Sequence, residues 1–83
     1  MDLGNVVNYI YLGPHIKGLG ITTNTLFYGA IPSHVEDYLD KNNLALVKLL
    51  IVPTYQMAET QHRMNTSGTA EYIAVQKVKE AND

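Results

Sequence analysis

The stretch LALVKLLIVPT, from Leu44 to Thr54, is the longest nearly unbroken apolar run of the chain, and Lys48 is its only charge. It is too short to span a bilayer and too apolar to face water, so we expect it in the middle of the fold. Its second half, Val47–Val52, predicts a buried central strand with Lys48 pointing out at one end of the sheet. Pro53 ends this strand, because proline has no N–H to donate to a ladder.

Two earlier segments rich in aromatic and β-branched residues predict the other strands. Asn8–Leu12 (NYIYL) is the first, and Thr25–Tyr28 (TLFY) is the second, antiparallel to it. Because strand side chains alternate between faces, Tyr9 and Tyr11 share one face of the sheet and their neighbours share the other.

A first helix is predicted from Ser33, which forms the pattern of a capping box with Glu36. The segment Leu44–Leu46 is expected to pack under this helix. Asn42 and Asn43 suit its end, since asparagine tolerates the left-handed conformation found there. The buried face of the helix is expected to carry three residues spaced by three and four: Val35, Tyr38 and Leu39.

Two more helices are predicted after the apolar run. The first covers Thr54–Asn65, and the last covers Ala70–Ala81 with Ser67 or Thr69 as its cap. We expect one side of the earlier helix to be formed by Met57, Ala58, Gln61 and Met64. We expect the buried stripe of the last helix to be formed by Ala70, Ile73, Ala74 and Ala81, with Val78 adjoining it.

These elements predict a single α+β domain, a small three-stranded β-sheet covered by about three α-helices. A chain of 83 residues has no room for a second core. We expect a loose N-terminal lead-in over 1–7, the strands and first helix over 8–53, and a helical pair over 54–82.

The composition excludes several classes of function. With a net charge of −2 and six scattered Lys and Arg residues, the chain has no basic stripe for nucleic acid. It has no cysteine, and we see neither a signal peptide nor a membrane segment. Charged residues make up 17% of the chain, below the usual value of about 25%. Either a partner covers part of the surface, or the surface is rich in Thr and Asn.

The residues that carry chemistry form no site pattern. Glu59 and His62 could share a helix face, but a di-metal carboxylate site needs two such pairs and further glutamates. His15 and His34 belong to other segments. We therefore expect no catalytic residue, no cofactor and no metal.

Tyrosine is the more informative bias, with six tyrosines against one phenylalanine. Tyrosine covers apolar area and still offers a hydroxyl group, so it is favoured at interfaces. Two interpretations remain open: the tyrosines line the edge of a small core, or they form a docking face. The candidate partner-binding residues are Tyr9, Tyr11, Tyr28, Tyr55 and Tyr72.

The order of several short segments gives a resemblance to a known class. These segments are YIYLGP (9–14), NTLFYG (24–29), IPSHVEDYL (31–39), KLLIVP (48–53) and SGTAEY (67–72). The layout resembles small proteins encoded among the head and structural genes of tailed bacteriophages and prophages of Gram-positive bacteria. The resemblance implies a non-enzymatic virion protein that assembles in the host cytoplasm, either capsid-associated (decoration) or at the head–tail junction.

We therefore expect the chain to bind repeated copies of a capsid or connector protein, or copies of itself, through a sheet edge and its tyrosines. The alternative is a small phage-encoded regulator or inhibitor that binds a host protein. Particle content separates the two, since a structural protein is present in fixed copies per particle.

Overall fold

The computed structural model describes residues 7–82 and confirms the expected α+β fold. The predicted lead-in over 1–7 lies, apart from Val7, outside the described residues. The strands are β1 (Asn8–Tyr11), β2 (Thr25–Tyr28) and β3 (Ile51–Pro53). The α-helices are α1 (Ser33–Lys41), α2 (Met57–Met64) and α3 (Ala70–Ala81), and 3-10 helices cover Ala45–Leu50 and Thr54–Gln56.

The three strands form an antiparallel sheet in the order β2-β1-β3. The predicted alternation along β1 is confirmed, because its two faces join different apolar clusters. Tyr9 and Tyr11 face the main core under the helices. Ile10 and Leu12 face the other side, where they form a smaller cluster with Val52.

The prediction of a central strand over Val47–Val52 is wrong. The 3-10 helix Ala45–Leu50 occupies most of this segment, and β3 begins only at Ile51. β3 is moreover an edge strand, and β1 is central. An edge strand tolerates Pro53 as its last residue, because no further strand needs the missing N–H.

The burial pattern of the 3-10 helix follows its three-residue turn. Leu44, Val47 and Leu50 are buried, whereas Leu46 and Leu49 are exposed. Residues three apart lie on the same face of a 3-10 helix, so one row is buried and another faces solvent. The buried row packs between α1 and α3, and β3 continues directly from it.

Lys48 does not lie at the end of a strand, as the sequence predicted. It extends from the 3-10 helix, and its Nζ lies 2.8 Å from Oδ1 of Asp40 on α1. This hydrogen bond raises the pKa of Lys48. Both side chains are exposed to solvent, so the pair orients the two helices more than it stabilises them.

The predicted buried face of α1 is confirmed, but its capping box is not formed. Ser33 is already the first helical residue, and Pro32 is the N-cap with a φ of −59°. The amides of Val35 and Glu36 donate to the Pro32 carbonyl at 3.1 and 3.3 Å. The helix ends as expected, with Asn43 in the left-handed region at a φ of 59°.

The last two helices bury different residues from those predicted. In α2, Thr60 is buried and Met64 is half-buried, while Met57, Ala58 and Gln61 are exposed. A 3-10 turn at the start of this segment shifts the face that meets the core.

The bounds of α3 agree with the sequence prediction, and α3 packs on its own domain against the 3-10 helix and α2. Thr69 caps it, with its Oγ1 accepting from the Tyr72 amide at 3.1 Å. Ala74 and Val78 form the buried stripe. The other three members of the predicted stripe are exposed: Ala70, Ile73 and Ala81.

Alanine substitutions at Leu50 and Leu49 test the 3-10 assignment with two identical changes at adjacent positions. We expect Leu50→Ala to lower the free energy of unfolding by about 2–5 kcal/mol, because it empties a fully buried site. The exposed Leu49 serves as control, and Leu49→Ala should cost less than about 1 kcal/mol. Urea unfolding measures both, and similar losses would contradict the assignment.

Candidate partner-binding surface

The five candidate tyrosines do not lie together. Tyr28 and Tyr55 are 76% and 78% exposed, whereas Tyr11 is fully buried. Tyr9 and Tyr72 are half-buried. Only the two exposed tyrosines present most of their ring to a partner.

Tyr11 belongs to the core, so we exclude it from the docking surface. Its hydroxyl donates to the Pro14 carbonyl at 2.6 Å, which satisfies the polar end of a buried ring. Burial raises the pKa of the Tyr11 phenol well above its ordinary value. Gly13 makes room for this ring, since a Cβ there would lie 2.5 Å from the Tyr11 hydroxyl and 2.7 Å from Leu50 Cδ1.

Tyr9 and Tyr72 are held by local structure. Tyr9 lies between Phe27 and Pro53 in the strand register and packs against the main core. Tyr72 lies in the first turn of α3, where its amide is bound by the cap. Both residues are half-buried and expose less of their side chains than Tyr28 and Tyr55, which remain as the candidate docking residues.

Tyr28 and Leu26 define the first patch, which we call the β2 edge. Leu26 is 45% exposed and lies two positions from Tyr28, on the same face of the strand. Among residues 7–82, β2 has a strand on one side only, and β1 is the element that it contacts most extensively. Positions 18–35 contain no Asp, Glu, Lys or Arg, so this edge has none of the charges that usually block strand addition.

Tyr55 defines the second patch, which we call the Tyr55 patch, and Met57 lies two positions further along the chain. Tyr55 lies in the 3-10 turn Thr54–Gln56 that connects β3 to α2, and Met57 is 37% exposed at the start of α2. β2 and β3 are opposite edges of the sheet, so the two patches are associated with different edges.

Sequence reasoning missed a further set of exposed apolar side chains. Leu46 and Leu49 lie on one face of the 3-10 helix, and Ile73 is exposed on α3. A pattern in which apolar residues recurred only at every third position would have indicated which leucines are buried and which are exposed. The run is apolar at almost every position, however, and it hides that repeat.

The acid–base and metal candidates are used locally or stand apart. Glu59 lies 2.7 Å from Arg63 Nη2, one helical turn along α2, and both side chains are largely exposed. Within residues 7–82, no group of three or more His, Asp or Glu side chains is placed to hold a metal ion.

An open depression lies where the end of α1 meets the end of α3, and Lys77 and Glu80 contribute its charges. Buried side-chain polar atoms without a hydrogen-bond partner are absent from the described part of the chain. The depression therefore has no buried polar group that is free to bind a ligand. Its lining residues are Asn42, Asn43, Leu44, Lys77, Glu80 and Ala81.

No protein-family model matches this chain, and no solved structure matches it. Within the described range 7–82, no helix has the length and apolar character needed to cross a bilayer.

Serine substitutions separate surface tyrosines from core tyrosines. We expect Tyr28→Ser and Tyr55→Ser each to change the free energy of unfolding by less than about 1 kcal/mol, because both rings are mostly exposed. Tyr11→Ser should cost at least about 3 kcal/mol, since it removes a buried ring. Chemical denaturation measures these values. A large loss at Tyr28 would show that its ring supports the fold.

Tyr11→Phe tests the buried hydroxyl. At pH 7 we expect a loss of about 1 kcal/mol, the net value of one hydrogen bond. The raised pKa of Tyr11 also makes stability depend on pH. Above pH 10.0 the Tyr11 phenol loses its proton in the unfolded chain but keeps it in the folded protein. The wild-type protein therefore loses stability at this site as pH rises, and the Tyr11→Phe variant does not. The difference in free energy of unfolding between the two proteins should narrow from about pH 9 to about pH 11, around the ordinary phenol pKa of about 10, and a constant difference would contradict this prediction.

Proposed function

We propose that this chain is a non-enzymatic structural protein of a tailed bacteriophage particle, docking on repeated copies of a capsid or connector protein. The phage context rests on the resemblance of its segment order to small phage head proteins. The mode of docking rests on the structure. Both Tyr28 and Tyr55 are more than three-quarters exposed, and each has an exposed apolar residue two positions away.

Leaving these apolar groups in water costs free energy that a partner can recover. A tyrosine ring and a leucine or methionine side chain gain about 25 cal/mol for each Å² of apolar surface that a partner covers. The tyrosine hydroxyl can still bond to the partner or to water at the rim of the interface. Among residues 7–82 no strand pairs with the outer side of β2, so this edge can accept a strand from another chain.

Repeated display suits such small patches. Each patch comprises only one or two exposed side chains, whereas a stable one-to-one interface usually has about 20–30 residues on each side. On a particle with many identical sites, neighbouring contacts reinforce one another, so weak individual contacts hold the array.

Particle composition tests the proposal. We expect mass spectrometry of purified virions to find the chain in a fixed ratio to the capsid or connector protein. Tyr55→Asp should reduce its incorporation at least about tenfold, because a charge is buried without a partner. Gln61→Asp, at another exposed position, is the control and should leave incorporation unchanged.

The chain's absence from particles, combined with expression early in infection, would contradict the structural role. That result would favour the alternative, a regulator that binds a host protein. Equal loss with Tyr55→Asp and Gln61→Asp would refute the role of the Tyr55 patch, and circular dichroism confirms that both variants are folded.

A further inference from the structure

We infer that the β2 edge binds a second copy of this chain, with β2 pairing antiparallel to β2 of that copy. The inference rests on the proposed function only in treating this edge as a docking surface, and it names the partner there. The result is a continuous six-stranded sheet related by a two-fold axis, built from the three strands of each copy.

Charge is the first argument for a second copy. Two identical surfaces that meet across a two-fold axis bring identical charges together, so any charge near the axis is repelled by its counterpart. The segment 18–35 contains no Asp, Glu, Lys or Arg, and β2 lies in the middle of it. β2 and its flanking segment therefore bring no charge of their own to a pairing with a second copy.

The alternation of side chains limits the register. The two-fold axis of an antiparallel pair is perpendicular to the sheet, so each face of one copy continues as the same face of the other. Residues opposite one another must then share a face. An axis at Phe27 satisfies this condition, placing Phe27 opposite its counterpart and Leu26 opposite Tyr28 of the second copy.

The apolar row across the sheet favours this register. Val52, Ile10 and Leu26 lie side by side in the strand register, on the face away from the main core. Val52 and Ile10 are each 8% exposed, whereas Leu26 at the outer end is 45% exposed. The row is thus open only towards the β2 edge. Tyr28 of the second copy lies next in this row and covers Leu26, and the same contact forms twice.

The size of the contact sets its strength. β2 has four residues, so the pairing buries less than a standard interface and should be weak, with a dissociation constant of about micromolar or higher. The Tyr55 patch is associated with the opposite edge and remains available to the particle.

Sedimentation equilibrium of the full chain over a wide concentration range tests the inference. We expect a monomer–dimer equilibrium that is insensitive to salt. Tyr28→Lys should weaken it at least about tenfold, since it places a positive charge at both ends of the paired strands. Tyr55→Lys is the matched control, the same change at an equally exposed tyrosine, and should leave the equilibrium unchanged. A wild-type protein that stays monomeric at millimolar concentration would overturn the inference. Equal weakening of the dimer by both variants would also overturn it.

Disulfide cross-linking tests the register, because the chain has no cysteine of its own. An oxidised mixture of Leu26→Cys and Tyr28→Cys proteins should form linked dimers much faster than either protein alone. Rapid dimers of Leu26→Cys alone would place Leu26 opposite itself and overturn the register. Failure of dimerisation leaves the particle test of the proposed function intact. Conversely, a chain that dimerises but is absent from particles refutes only the proposed function.

Discussion

The buried row of the 3-10 helix is the interaction on which the rest of the structure depends. Leu44, Val47 and Leu50 fill the space between α1 and α3, and β3 continues directly from them into the sheet. In a 3-10 helix, side chains three residues apart lie directly above one another. One narrow row of side chains can therefore contact two neighbouring helices. The apolar run, whose sequence suggests a strand, is therefore the segment that joins the helices to the sheet.

This arrangement leaves the two edges of the sheet unequal. β3 is short, ends in Pro53, and is flanked by the 3-10 helices before and after it. In the described part of the chain, β2 pairs with β1 on one side and with no strand on the other. The main core lies on the face that carries Tyr11, and on the opposite face Ile10 and Val52 are buried while Leu26 is exposed. The exposure of Leu26 and Tyr28 at the β2 edge follows from this unequal cover.

Much of the fold could be predicted from the sequence, and the failures have physical reasons. The bounds of β2 and α3 follow from local composition and a Thr cap, and the alternation in β1 follows from strand geometry. The run Leu44–Val52 carries no readable period, so nothing in it separates a strand from a 3-10 helix. Of the candidate site, composition indicated tyrosines but not which ones. Tyr11 and Tyr28 lie in strands of similar composition, and the tertiary structure determines that one is buried and the other exposed.

Amide hydrogen exchange along the chain tests the central claim, that the protein docks through the outer edge of β2. The measurement compares dilute free protein with protein assembled in particles. If β2 is the docking edge, outward-facing amides of Thr25–Tyr28 exchange rapidly in the free protein and become protected on assembly. The buried amides of Val47 and Leu50 should be protected in both states. Unchanged exchange across β2, with new protection confined to another segment, would contradict it.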